Sequence, residues 1–188
     1  KRNNAIWYGG MTGSFFLTII EVLDGHSAEW GASSGDLFAN TSGSLLAIFQ
    51  ALKWNEQRIQ LKYSYNTSKW AKLNPEQLGE NNLQRFLKDY NGQTYWISFN
   101  MQSLLGVQLS SFPNWLTLAM GYSGDNMIAP YPEDGRRQYL LSLDIDLTKI
   151  KTASKTWNNI LHTFGFLKFP MPTLELSKGK FSTHLIYY

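Results

Sequence analysis

Residues 21–43 read EVLDGHSAEWGASSGDLFANTSG, a polar stretch that lies between two segments without charge. Residues 3–20 before it and residues 37–52 within and after it contain no Asp, Glu, Lys or Arg. We call residues 21–43 the elbow, because its glycines and acidic residues are typical of a connection between helices. The sequence therefore predicts an apolar helical hairpin, with a first helix over residues 5–23 and a second that ends near residue 54.

The second helix has a recognisable start. Ser33 or Ser34 can cap the first backbone amides, and Asp36 lies in the first turn, where a carboxylate suits the positive end of the helix dipole. Asn40 and Gly43 follow Asp36 on one face of the helix. We expect this stripe of polar and small residues to face the first helix.

The first helix is apolar nearly all round and carries Gly9, Gly10 and Gly13, which would let a second helix approach closely. Its length is close to the roughly 20 residues that span a bilayer. Two interpretations follow, a membrane-spanning helix or a fully buried core helix. The acid at Glu21 and the glycines favour the buried helix.

The composition is typical of proteins that contact a membrane or a large partner surface. Hydrophobic residues make up 43% of the 188 residues, aromatic residues 15% and charged residues 16%, the last below the roughly 25% of soluble domains. The net charge of +3 is scattered, so nucleic-acid binding is set aside. The absence of cysteine excludes thiol chemistry and fits an exported protein. Because the chain starts at Lys1, we expect further residues upstream, including any signal peptide or lipid anchor.

From residue 58 the hydrophobic period changes to two, which predicts strands with one polar and one apolar face. The longer segments, of about nine to twelve residues, match tilted membrane-spanning strands better than average soluble ones. Predicted strands cover residues 58–65, 94–105, 115–123 and 138–150, and residues 174–188 are extended around a turn at 178–180.

Two helical insertions interrupt the strands, near residues 81–88 and 157–167. The second one is either an interfacial amphipathic helix or a helix packed on the sheet, and we favour packing. The expected fold is α+β, with a helical hairpin over residues 1–56 and an antiparallel meander of five or six long amphipathic strands over residues 57–188, joined as one structural unit. We further expect that these strands form part of a small outer-membrane β-barrel, although about eight strands are needed to close one.

Chemistry would be expected first at the elbow. Glu21, Asp24 and Asp36 could act as general acid and base, and His26 could join them around a divalent cation. The structural alternative, which we favour, is that these acids cap and turn the chain while Asn40 satisfies a buried backbone group or the Glu21 carboxylate. Glu21, Asp24, Asp36 and Asn40 are therefore the candidate binding residues.

Beyond the elbow, the pattern offers few chemical motifs. Asp144 and Asp146, on the polar face of a predicted strand, either line an aqueous lumen, contact a ligand or are simply solvated, and solvation is the commoner case. The three histidines show no metal-ligand spacing, and no nucleophile elbow, phosphate loop or zinc motif is present. We therefore predict no metal and no cofactor.

A family resemblance rests on these residues. The elbow motifs are Glu21-x-x-Asp24-Gly25, Trp30-Gly31, Ser33-x-x-Asp36 and Asn40-x-x-Gly43. They resemble the YfiM-like family of uncharacterised periplasmic lipoproteins and, more distantly and over about the first 55 residues, VanZ-like helical membrane proteins. Longer family members are also similar through residues 54–62, 87–96 and 143–150. The resemblance implies an envelope protein of diderm (Gram-negative) bacteria and brings no activity, and the family's upstream Asp-Lys-x-x-His element is absent from this chain.

The functional prediction is a non-enzymatic protein of the outer membrane or its periplasmic face, structural or an accessory subunit of an envelope complex. Its expected partners are membrane lipid and another envelope protein, with no nucleic acid. The alternative is a membrane-surface hydrolase or lipid-modifying enzyme that uses Glu21, Asp24 and Asp36.

Overall fold

A computed structural model describes residues 1–26, 33–107, 112–128 and 135–188, with the backbone alone at Asp24. The chain forms two compact units, Lys1–Arg58 and Ile59–Tyr188. The first is helical and the second is built on a sheet, so the α+β fold class is confirmed.

The helical unit is a hairpin of α1 (Arg2–Asp24) and α2 (Ser34–Lys53). As predicted, α2 begins at a serine cap, because the Ser33 hydroxyl accepts a hydrogen bond from the Asp36 backbone N–H at 3.2 Å. The helices approach closely at Gly10, where an added Cβ would lie 2.3 Å from Cγ1 of Ile48. A side chain at position 10 would therefore push α2 away.

The prediction of a buried first helix was wrong. Of the α1 side chains that the structure describes, Ser14 alone is buried, whereas Tyr8, Phe15 and Leu23 are largely exposed. Its residues 2–23 are long and apolar enough to cross a membrane. The reason for the error is that one neighbouring helix can cover only one stripe of a helix that is apolar all round.

The second unit is a six-stranded antiparallel meander in which each strand pairs with the next along the chain. Consecutive strands are neighbours in space, so sequence order equals spatial order. The strands are β1 (Ile59–Tyr65), β2 (Gln93–Phe99), β3 (Leu116–Asp125), β4 (Arg136–Ile145), β5 (Met171–Ser177) and β6 (Lys180–Tyr187).

Helices fill the connections. α3 (Lys69–Leu73), α4 (Pro75–Leu78) and α5 (Asn82–Lys88) lie between β1 and β2, and α7 (Lys155–Thr163) precedes β5. The predicted helices near residues 81–88 and 157–167 are thus present, with α7 ending earlier. The favoured packing of α7 on the sheet was wrong for Trp157 and Ile160, which are exposed, whereas Leu161 is half-buried.

Two predicted strands end sooner than their alternation indicated. β2 stops at Phe99 because Asn100 caps α6 (Met101–Leu105), its side chain accepting the Ser103 N–H at 2.9 Å. β4 stops at Ile145 because the Asp146 carboxylate accepts the Thr148 N–H at 3.0 Å and starts a 3-10 turn. The expected lengths of nine to twelve residues hold only for β3 and β4, which have ten.

Candidate functional site

The two faces of the sheet differ sharply, and the apolar one is exposed. Met120 is 53% exposed, and its neighbours across β2 to β4 are similarly open. We call this side the apolar face. Its large exposed side chains are Leu61, Tyr95, Ile97, Met120, Tyr122, Tyr139, Leu141, Leu143, Leu174 and Phe181.

The opposite side, the polar face, is buried. Alternate residues of the same strands point into it, among them a lysine, an aspartate, serines and threonines. Its buried polar side chains on the strands are Lys62, Ser64, Thr94, Ser98, Thr117, Ser123, Ser142, Asp144, Thr173 and Glu175. Among the described residues, Trp96, Ala119 and Leu140 form a small buried hydrophobic cluster there, and the partly buried Tyr187 packs against it. This arrangement is the reverse of a soluble one-sheet domain, in which the apolar face is covered.

A buried ion cluster occupies the polar face. Asp144 is 0% exposed, and its Oδ2 lies 2.7 Å from Nζ of Lys62. The same oxygen accepts a hydrogen bond from the Ser98 hydroxyl at 2.8 Å. Nζ of Lys168 lies 4.0 Å from the other carboxylate oxygen, which also accepts the Phe169 N–H. These donors compensate the desolvation of the carboxylate, as a buried charge requires.

The second lysine of the cluster, Lys168, lies farther from the Asp144 carboxylate than Lys62 does. Burial lowers the pKa of Lys168 to about 8, against the raising effect of Asp144 and together with the lowering effect of Lys62. Its ammonium lies 4.8 Å from the ring centroid of Trp96 and donates to the Phe169 carbonyl at 2.7 Å. Two lysines therefore share one aspartate, and burial disfavours the charged form of Lys168 in spite of these contacts.

Asp146 forms a second buried network beside the cluster. Its Oδ1 accepts hydrogen bonds from the side chains of Gln60 at 2.9 Å and Thr148 at 2.6 Å. Asp144 and Asp146 are both 0% exposed. The favoured expectation that they are solvated was therefore wrong, because β4 turns Asp144 towards the polar face and the side chain of Asp146 caps the buried turn that follows β4.

The contacts across the polar face show that the sheet is strongly curled. Lys62 on β1 and Asp144 on β4 are separated by two strands, a distance of roughly 14 Å in a flat sheet at about 4.8 Å per strand. The rings of Trp96 on β2 and Tyr187 on β6 meet at 6.0 Å between centroids. In addition, Tyr63 of β1 bonds through its backbone to Phe166 and Lys168. The sheet thus wraps around a polar interior without closing.

A polar cavity of about 420 Å³ opens at one end of this interior. Gln138 and His184 line it, and both contact the carboxylate of Glu175, at 2.8 and 2.7 Å. Asp125, which also lines the cavity, accepts the indole N–H of Trp70 at 2.7 Å. Each acid is thus already engaged by the protein.

Among the candidate residues of the elbow, Glu21 makes a contact that joins the two helices. The Glu21 carboxylate accepts the Ser33 backbone N–H at 2.9 Å and so ties the end of α1 to the start of α2. Asp36 is exposed in the first turn of α2, and Asn40 is half-buried one turn later. The side chain of Asp24 and residues 27–32 lie outside the described residues. The structure brings together Glu21 and Ser33, and it leaves Asp36 facing outward.

Among the residues that the structure describes, no group of three or more His, Asp or Glu side chains could hold a metal ion. Sequence reasoning missed Lys62, Lys168 and the contact between Glu175 and His184. The signal for Lys62 was present, because it shares its side of β1 with Gln60 and Ser64. Lys168 gives no such signal, since it lies outside any periodic segment.

Comparisons with protein-family models, with characterised proteins and with solved structures give no match to this chain. The site is therefore interpreted from its own geometry.

Proposed function

We propose that this protein is a non-enzymatic component of the bacterial envelope, in the outer membrane or on its periplasmic face, whose sheet contacts lipid through its apolar face. The observation that carries the proposal is the reversed polarity of the sheet, with apolar side chains outside and the Lys62–Asp144 ion pair inside. Strands of membrane β-proteins alternate in this way, because lipid replaces the core on the outer side.

The energetic scale supports lipid contact. At about 1.5–3 kcal/mol for a fully buried large apolar side chain, covering the exposed halves of the apolar face is worth roughly 10 kcal/mol. That sum is comparable with the whole stability of a typical domain, about 5–15 kcal/mol. Because covering these side chains would be so favourable, the apolar face is suited to an apolar environment such as lipid.

Two further features support a membrane setting. α7 is amphipathic, with Trp157, Ile160 and Phe164 exposed on one side and Lys151 and Lys155 nearby, as in helices that lie in the membrane interface. α1 has the length and hydropathy of a membrane-crossing helix. The outer-membrane location is proposed from the family resemblance.

The free edge of β6 supports a role as an accessory subunit. In the part of the chain that the structure describes, β6 pairs with β5 on one side and with no strand on the other. Unpaired backbone groups at a sheet edge are costly in lipid and are met by another strand. We propose that another envelope protein supplies it.

The test is membrane fractionation of the full chain, followed by flotation with vesicles and by pull-down in mild detergent. Leu141→Arg places a charge on the apolar face, which costs up to about 2–4 kcal/mol at the bilayer midplane and less towards the interface, and should lower vesicle binding at least several-fold. Leu73→Arg, at an exposed leucine of α3, is the matched control and should bind like the parent. Recovery of the parent as a lipid-free monomer in the soluble fraction would overturn the proposal.

A further inference from the structure

The apolar face is layered along the strands. Four tyrosines stand directly opposite one another in a row that crosses β1 to β4. The cross-strand pairs are Tyr63 with Tyr95, Tyr95 with Tyr122, and Tyr122 with Tyr139. Ring centroids lie 5.7 Å apart both for Tyr63 and Tyr95 and for Tyr122 and Tyr139. We call these four residues the tyrosine row.

The rows on the two sides of the tyrosine row differ in chemistry. On one side of the tyrosine row, the next row, two residues further along each strand, consists of aliphatic residues and one methionine. The row after that is also apolar. These rows are Leu61, Ile97, Met120, Leu141 and Leu174, then Ile59, Phe99, Leu118 and Leu143. In the other direction the positions are Tyr65 opposite Gln93 and Gly124 opposite Arg137. The face thus changes from polar to tyrosine to wholly apolar within one strand.

This order is the order of a membrane boundary. Tyrosine has an apolar ring and a polar hydroxyl, and it collects at the level of the lipid headgroups. Aliphatic side chains suit the hydrocarbon interior, and an arginine just outside suits headgroup phosphates. A protein partner would not require tyrosines at one level of four neighbouring strands.

We infer that the tyrosine row marks the level of the lipid headgroups, with the Arg137 end of β4 in water and the Leu143 end inside the hydrocarbon. The inference rests on the proposed lipid contact and adds its orientation and depth. At about 3.3 Å per residue, Leu143 lies roughly 13 Å along the strand beyond Tyr139. With a strand tilt of about 35–45°, Leu143 would lie roughly 10 Å below the tyrosine row, inside the hydrocarbon half-thickness of about 15 Å.

The absence of cysteine makes the depth measurable with single labels. A fluorophore is placed in turn at Arg137→Cys, Tyr139→Cys, Leu141→Cys and Leu143→Cys, all exposed positions of β4 that need no rearrangement of the interior. The full chain is reconstituted in phosphatidylcholine and phosphatidylglycerol vesicles. The vesicles carry a nitroxide quencher either at the headgroup or in the middle of the acyl chain. The control is Gln138→Cys. Gln138 lies between Arg137 and Tyr139 in the sequence, and it lines the polar cavity.

The expected result is a ratio of acyl-chain to headgroup quenching that rises at least several-fold from position 137 to position 143. Position 138 should show little lipid quenching and stay open to aqueous iodide. Lipid quenching at 139, 141 and 143 with a flat or reversed ratio would overturn the assignment of the tyrosine row while the lipid contact stands. Absence of quenching by both lipid-attached nitroxides at all four positions would overturn the proposed function itself.

Discussion

Lys62 on β1 and Asp144 on β4 form a 2.7 Å ion pair across the interior of the sheet, with two strands between them. Both side chains are fully buried. The pair therefore links β1 to β4 and helps to keep the sheet curled. Removal of one partner would leave the other charged and unpaired, which is the costly case for a buried pair.

The first prediction concerns this pair. Lys62→Met should lower the free energy of unfolding by about 3–5 kcal/mol, because Asp144 loses its closest cation. Lys72→Met, at an exposed position of α3, is the control and should change stability by less than about 0.5 kcal/mol. Urea unfolding in detergent micelles measures both. Equal midpoints for the two variants would show that the pair does not hold the curl.

The second prediction concerns pH. The unfolded chain keeps the Lys168 proton up to its ordinary pKa of 10.5, whereas the native protein releases it at about 8. Between these values the unfolded state binds more protons, so stability rises with pH, and the cost of burying the charge is fully present below pH 8. The stability of the parent should therefore rise relative to Lys168→Met between pH 8 and pH 10. Parallel pH curves for the two proteins would contradict this account.

The third prediction concerns Gly121. A Cβ at this position would lie 2.6 Å from Cε3 of the Trp96 ring, which is almost fully buried. Gly121→Ala should destabilise the protein by about 1–3 kcal/mol through overpacking. Gly124→Ala on the same strand meets the flexible end of Met127 instead and should cost clearly less. Near-ultraviolet circular dichroism and urea unfolding report both effects, and a neutral Gly121→Ala would argue against a tightly packed Trp96.

The fourth prediction separates structure from catalysis at the elbow. Glu21→Ala removes the acceptor of the Ser33 N–H and should cost about 1 kcal/mol, whereas Glu21→Gln keeps an oxygen there and should cost less. Asp36→Asn should cost only a few tenths of a kcal/mol up to about 1, from the helix dipole. Thermal unfolding by circular dichroism measures these changes. A hydrolytic activity towards lipid that is present in the parent and lost in Glu21→Gln and Asp36→Asn at normal stability would favour the enzyme alternative.

The fold was largely readable because its signals are local. Alternation over residues 58–65 and 138–150 predicted strands, and Ser33 and Asp36 predicted the start of α2, since period and capping need no knowledge of distant residues. The strand ends were misplaced at Asn100 and Asp146, because alternation continued past side chains that cap a new turn.

The interior was not readable for a physical reason. Whether Asp144 faces water or protein depends on the curl of the whole sheet, which brings β1 opposite β4. The partner of Asp144 on β1, Lys62, is recognisable only once the register of the strands is known. The aqueous or buried character of a polar face is a property of the assembled sheet, not of one strand.

The central claim, that lipid covers the apolar face, is tested most directly by the oxidation of two methionines. Met120 lies in the middle of the apolar face and is 53% exposed, whereas Met127 lies beyond the tyrosine row and is 43% exposed. Hydroxyl-radical footprinting with mass spectrometry compares them in lipid vesicles. We predict that vesicles protect Met120 about tenfold or more relative to Met127. Equal oxidation of the two methionines in vesicle-bound protein would contradict the claim.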